Sequence, residues 1–313
     1  MTAPSCTLCP RRCGVPRGEG FCGMPLEARV ASVCVHRGEE PPLNPIVNIF
    51  FAGCNLQCIY CQNWQISEPL VRPASSPSDP RPLSLEARGV DSIADEICSL
   101  LPSPLGRGAG AEALLGFVTA AHYIHLVRPV VEAIHARGLQ PVVVYNSSGY
   151  ESVEALRTLE GVVDVYLPDF KYMDTSLADA YSHAPDYPEV AAAAIREMRR
   201  QVGPTLKVGD DGLAYRGLLV RHLVLPGALE NTALCLQWLA DELPPTMSLS
   251  LMAQYFPPRP GLPAPLDRTL TADEYDRALA LADRLGFLNL YTQQLDAQSN
   301  YRPDFTNENP FGK

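Results

Sequence analysis

No apolar stretch in this 313-residue chain approaches the ~20 residues of a membrane-spanning helix, so a helical membrane protein is excluded. A secretory start is missing as well. Met1-Thr2-Ala3-Pro4-Ser5-Cys6 has neither a basic opening nor an apolar run, and a cytoplasmic, reducing location is the expectation. Positive charge is scarce: 25 Lys and Arg against 35 Asp and Glu give a net charge of −10. That balance argues against a protein that grips nucleic acid by neutralising phosphates. Disorder is excluded too, because 46% of residues are hydrophobic and only 19% charged. Length alone allows roughly two domains, or one α/β barrel of roughly 250 residues.

What the chain does have is cysteine, unevenly spread. There are 10, and eight of them lie in the first 61 residues. In a large chain with no secretory start, such a cluster points to metal ligation rather than to disulfides. Cys54, Cys58 and Cys61 have the spacing C-x3-C-x2-C, just after the apolar run Ile46–Phe51 and Gly53. The run predicts a buried strand, and the thiols then lie on a loop at its end. Thiolate is the soft ligand of iron–sulfur clusters, and three thiolates leave one iron of a cubane open. Cys6, Cys9, Cys13 and Cys22 lie within 17 glycine-rich residues and predict a four-ligand knuckle, for zinc or a second 4Fe–4S cluster. Cys34, Cys98 and Cys235 read as small packing residues.

Strand-like runs then alternate with helical patterns. Strands are expected at 46–51, 114–119, 141–145, 162–167, 218–224, 247–252 and 287–291. Helices are expected at 91–101, 124–137, 152–159, 189–202, 230–242 and 272–285. The alternation predicts a parallel sheet covered by helices. The proline-rich stretch 39–45 reads as an extended linker. Segments 69–89 and 102–112 read as flexible loops. The expected organisation is a Cys-rich segment over 1–45, a core over 46–295 and a tail over 296–313.

The C-x3-C-x2-C loop, with the aromatic Tyr60 before its last cysteine, resembles the radical S-adenosylmethionine (SAM) superfamily. The resemblance implies an α/β fold, a partial (β/α)6 TIM-type barrel with the Cys-rich segment at its N-terminal end. It implies a 4Fe–4S cluster on Cys54, Cys58 and Cys61, and reductive cleavage of SAM to a 5′-deoxyadenosyl radical. Asp169-Phe170-Lys171, after the turn Asn146-Ser147-Ser148-Gly149, is similar to the D-x-K element of the pyruvate formate-lyase activating enzymes. By that likeness Lys171 meets the SAM carboxylate, Asp169 orients it, and His222 rather than Arg221 is the inward group of its strand. Asn63, Asn146, Ser148, Gly149, Lys171 and His222 are the implied cofactor contacts, and Asp169, Lys171 and His222 the implied catalytic set. The family's Gly-Gly-Glu-type loop is missing at 116–122, where Thr119 and His122 stand as substitutes. Gln254 and Tyr255 are expected at the barrel mouth. A flavodoxin- or ferredoxin-type reductant is implied, with a protein carrying a glycyl radical as one substrate. The alternatives are a small-molecule substrate, or a non-catalytic iron–sulfur or zinc protein.

Overall fold

A computed structural model describes residues 5–68, 86–101, 113–300 and 302–312. The expected loop at 102–112, and most of the one at 69–89, lie outside these residues. The strands are β1 Ala28–His36, β2 Ile46–Phe51, β3 Ala87–Arg88, β4 Leu114–Val118, β5 Val142–Ser147, β6 Val165–Pro168, β7 Lys207–Val208, β8 Ala214–Leu223, β9 Ser248–Met252 and β10 Asn289–Thr292. The helices are α1 Trp64–Ser67, α2 Val90–Leu100, α3 Ile124–Ala136, α4 Val153–Arg157, α5 Thr175–Ser182, α6 Tyr187–Val202, α7 Leu229–Glu242, α8 Ala272–Leu285 and α9 Ala297–Asn300.

The strands form one open sheet in the order β10-β9-β8-β6-β5-β4-β2-β1-β3, with β7 on the side of β8. Along that order every pairing from β2 to β10 is parallel, β7 pairs antiparallel with β8, and β1 runs antiparallel on the outer flank of β2. Six strand-plus-helix units and a last strand thus make the partial (β/α)6 barrel. Parallel strands buried on both faces carry apolar residues in both phases. Ile46, Leu114, Val144, Leu167 and Leu219 fill the concave face. Val47, Ile49, Leu115, Val143 and Val220 pack outward under the helices.

Local chemistry sets the helix ends. Thr271 and Glu274 make a reciprocal capping box on α8, and Gly286 ends that helix in the left-handed region. One expectation needs correction and one element was unforeseen. The 39–45 linker is not wholly extended, since Pro41–Leu43 forms a 3₁₀ turn; proline suits the first helical position, where its missing N–H costs nothing. Helix α5 was not foreseen, because its eight residues are too few for a clear period; the Asp174 cap, accepting from Ser176 and Leu177 N–H, starts it.

Candidate functional site

The C-terminal strand ends surround a cavity of about 610 Å³. Cys54, Cys58 and Cys61 line it together with Asn63, Thr119, Asn146, Ser148, Asp169, Lys171, Arg221 and Gln254. Most of the residues expected there from sequence are therefore in one place. Each thiol has a donor at hand. Leu56 N–H lies 3.3 Å from Cys54 Sγ, and the Ser182 hydroxyl 2.9 Å from Cys58 Sγ. The Ser67 hydroxyl and Asn63 N–H serve Cys61. Burial pushes the free thiols up, Cys54 to about 12 and Cys61 to about 11. A coordinated metal reverses that preference, because a coordinating thiol is deprotonated outright.

Among the described residues, no three or more Cys, His, Asp or Glu side chains are gathered to hold a single ion. A cubane makes a different demand, each thiolate reaching its own iron. Three thiols on one loop, Cys54 buried and Cys58 and Cys61 half-buried, each with a hydrogen-bond donor and open to one cavity, fit that demand.

Lys171 Nζ lies 2.5 Å from Asp169 Oδ2, both side chains at the cavity wall. Burial opposes the lysine charge, but Asp169 and Cys58 outweigh it and hold the ammonium above its ordinary range. The segment is fixed from behind. Asn231 on α7 donates to Lys171 O and accepts from Met173 N–H. The Tyr187 hydroxyl accepts from Lys171 N–H and faces the carbonyls of Ser148 and Asp169, each at 2.9 Å. Glycine is required at 149: φ is +81°, and a Cβ there would lie 2.3 Å from Asp169 O. This close approach joins the two loops. Ser148 Oγ is buried, has no partner and borders the cavity.

The strand β8 assignment is corrected. Arg221, not His222, faces the cavity. His222 points under α7, with Nδ1 2.7 Å from Phe170 O and Nε2 3.0 Å from Thr232 Oγ1. Burial lowers it to about 4, so it is neutral. The alternation of β8 decides this: Arg221 shares a phase with Leu219 of the concave face, His222 with Val220. Arg221 binds Glu39 and Glu40 from the linker, pairs that sequence reasoning missed. His122 also leaves the site: Nε2 bonds Ala52 O at 2.7 Å, and its ring borders a separate small cavity. Tyr255 donates to Leu266 O at 2.6 Å and stays buried, away from the mouth.

Cys6, Cys9, Cys13 and Cys22 border that second cavity together. All the cysteines are free thiols. No helix among the described residues is long and apolar enough to cross a membrane.

No family model matches the chain. It is 27% identical over 297 residues to an uncharacterised protein of Methanocaldococcus jannaschii, covering 92% of this chain and 77% of that protein. A second uncharacterised protein of that organism is 34% identical over 80 residues, covering 20% of this chain and 24% of its own. Among solved structures, a radical SAM methyltransferase from Sphaerobacter thermophilus matches at a TM-score of 0.50 and 13% identity, covering 79% of this chain and 66% of that one. This chain therefore has the fold of the radical SAM enzymes, a mostly parallel sheet left open as a partial barrel.

Proposed function

We propose that the protein is a radical SAM enzyme. The carrying observation is the convergence of Cys54, Cys58 and Cys61 with the Asp169–Lys171 pair on one cavity of about 610 Å³. The three cysteines hold a 4Fe–4S cluster, which when bound supplies the electron that cleaves SAM to methionine and the 5′-deoxyadenosyl radical.

The chain's residues bind and orient. Lys171 offers its ammonium to the SAM carboxylate, a charge-assisted contact. Asp169 holds that ammonium in place when SAM is absent. Ser148 Oγ, buried and unpartnered, gives the ligand a hydrogen-bond site. Asn63 and Asn146 border the same space. The apolar concave face below keeps water from a radical. His222, bonded at both nitrogens, keeps Phe170 in place between Asp169 and Lys171 and is a positioning residue.

In its finer form the reading makes the protein an activase: it abstracts hydrogen from a glycyl residue of a partner enzyme. A low-potential flavodoxin- or ferredoxin-type protein in a reducing cytoplasm supplies the electron. A small-molecule substrate is the second reading, favoured by Arg221, Glu39 and Glu40 converging at the cavity wall.

The test is anaerobic incubation with SAM and dithionite. Release of 5′-deoxyadenosine and methionine is expected, and its loss when Cys54, Cys58 and Cys61 are changed together to Ala. No cleavage by protein loaded with iron and sulfide sinks the proposal. Deuterium passing from a labelled protein into 5′-deoxyadenosine supports the activase form; label arriving only from small metabolites supports the second.

A further inference from the structure

The knuckle at the N-terminal end has the features of an occupied site rather than of loose thiols. Its backbone is closed by Cys6 N–H to Val15 O at 2.9 Å and Gly14 N–H to Cys6 O at 3.1 Å. Turns close at Cys9–Arg12 and Gly20–Gly23, and the four cysteines border one small cavity. Each sulfur meets an N–H. Arg17 Nη1 lies 3.7 Å from Cys6 Sγ, and Phe21 N 3.4 Å from Cys13 Sγ. The backbone N–H groups of Arg11 and Met24 face Cys9 and Cys22. A neutral thiol is a weak acceptor, whereas four donors around four sulfurs complement the negative charge of metal-bound thiolates. His122 Nδ1 and Asn55 Oδ1 border the same cavity, are fully buried and have no partner.

The knuckle is also seated on the loop that carries Cys54. Gln57 Nε2 donates to Phe21 O at 2.7 Å, and Arg11 Nε to Asn55 O at 2.8 Å. The Met24 side chain lies against Gly53, so close that a Cβ there would be 2.4 Å from Met24 Cγ. Arg11 reaches on to the carbonyls of Ser182 and His183, at the end of the helix whose Ser182 touches Cys58.

We propose that Cys6, Cys9, Cys13 and Cys22 hold one thiolate-bound iron–sulfur centre, each thiolate on its own iron, that clamps residues 52–57 and the end of α5. Closed metal sites contribute folding energy, and here that energy fixes the loop beside the cavity. The metal half stands whether or not the cavity binds SAM. The clamp half rests on the Cys54–Cys61 loop being the working one.

The full chain with Cys54, Cys58 and Cys61 changed to Ser separates the two sites. Purified without air, it is expected to retain one iron–sulfur centre per chain, read as iron with acid-labile sulfide, and to protect the four thiols from iodoacetamide. A folded chain that holds zinc alone, or that holds no metal and has all four thiols alkylated, overturns the proposal. Stripping the metal with a chelator tests the clamp by hydrogen exchange. Amides of 52–57 and of the α5 end are expected to exchange roughly tenfold faster while α8 is unchanged. Unchanged exchange at 52–57, or a rise spread equally to α8, overturns it.

Discussion

The Ser182 hydroxyl donates to Cys58 Sγ across 2.9 Å, joining the end of α5 to the cysteine loop. It closes a buried chain of hydroxyls: Tyr60 and Tyr172 are 2.6 Å apart, and Tyr172 and Ser182 2.8 Å. The aromatic before the last cysteine is thereby tied to the sulfur of the middle one. Ile59 N–H, bonded to Tyr181 O at 2.9 Å, holds the same two segments together.

Removing that donor changes the electrostatics at one sulfur. Hydrogen bonds to cluster sulfurs favour the reduced, more negative state. Ser182→Ala is expected to lower the reduction potential of the loaded cluster by about 20–60 mV, the equivalent of roughly 0.5–1.5 kcal/mol. Redox titration followed by electron paramagnetic resonance reads it. An unchanged potential means that the hydroxyl bonds elsewhere once the cluster is present.

The Lys171 ammonium acts on the thiols of Cys58 and Cys61. A charge-assisted hydrogen bond contributes about 1.5–3 kcal/mol. Lys171→Ala is therefore expected to weaken SAM binding by roughly one to two decades while iron content is unchanged. Calorimetry on cluster-loaded protein is the measurement, and equal affinity in the two proteins refutes the carboxylate contact.

Arg221 and His222 of β8 separate cleanly. Arg221→Met leaves Glu39 and Glu40 buried without their partner, and breaking such a network typically costs 3–5 kcal/mol, to order of magnitude. Adding Glu39→Gln and Glu40→Gln to the same chain is expected to recover most of that loss. Denaturant unfolding measures both. If the triple variant is no more stable than Arg221→Met alone, the buried carboxylates are not the source of the penalty.

Much of this was legible in the residues. Strand and helix positions followed the apolar periods to within a few residues, because each βα unit buries a complete apolar face. The cavity cysteines followed from their place after a strand, and the Asp169–Lys171 pair from its likeness to the D-x-K element. The facing of β8 did not, because Leu218-Leu219-Val220 is apolar in both phases and so gives no sign of which residue turns inward. His122 was misplaced for a related reason: the backbone after β4 turns through Thr119, at φ +54°, before the short helix that carries it. The partners Glu39 and Glu40 lie 182 and 181 residues from Arg221, a pairing that no local pattern encodes.

Glu151 gives the last prediction, and its sign can be worked out in full. Its carboxyl lies buried beneath the 146–150 turn, accepting from Ser147 Oγ at 2.7 Å and Tyr145 OH at 3.2 Å. Burial raises it from 4.5 to about 7, and the two hydroxyls only partly offset that. Between those values the folded chain keeps a proton that the unfolded chain has released, so this group makes stability fall as pH rises through that window. The full difference is roughly 3 kcal/mol, to order of magnitude. His122 and His222 act the other way. Burial lowers both from 6.5 to about 4, so their contribution is lost as pH falls through that range. The raw pH profile therefore mixes opposing slopes, and the informative curve is the difference from Glu151→Gln. That variant keeps an acceptor for both hydroxyls but carries no ionisable group. It is expected to match the parent protein near pH 4.5 and to exceed it by roughly 2–3 kcal/mol at pH 8, measured by urea unfolding. A difference that does not change between those pH values would mean that Glu151 keeps an ordinary carboxylate pKa in the folded chain.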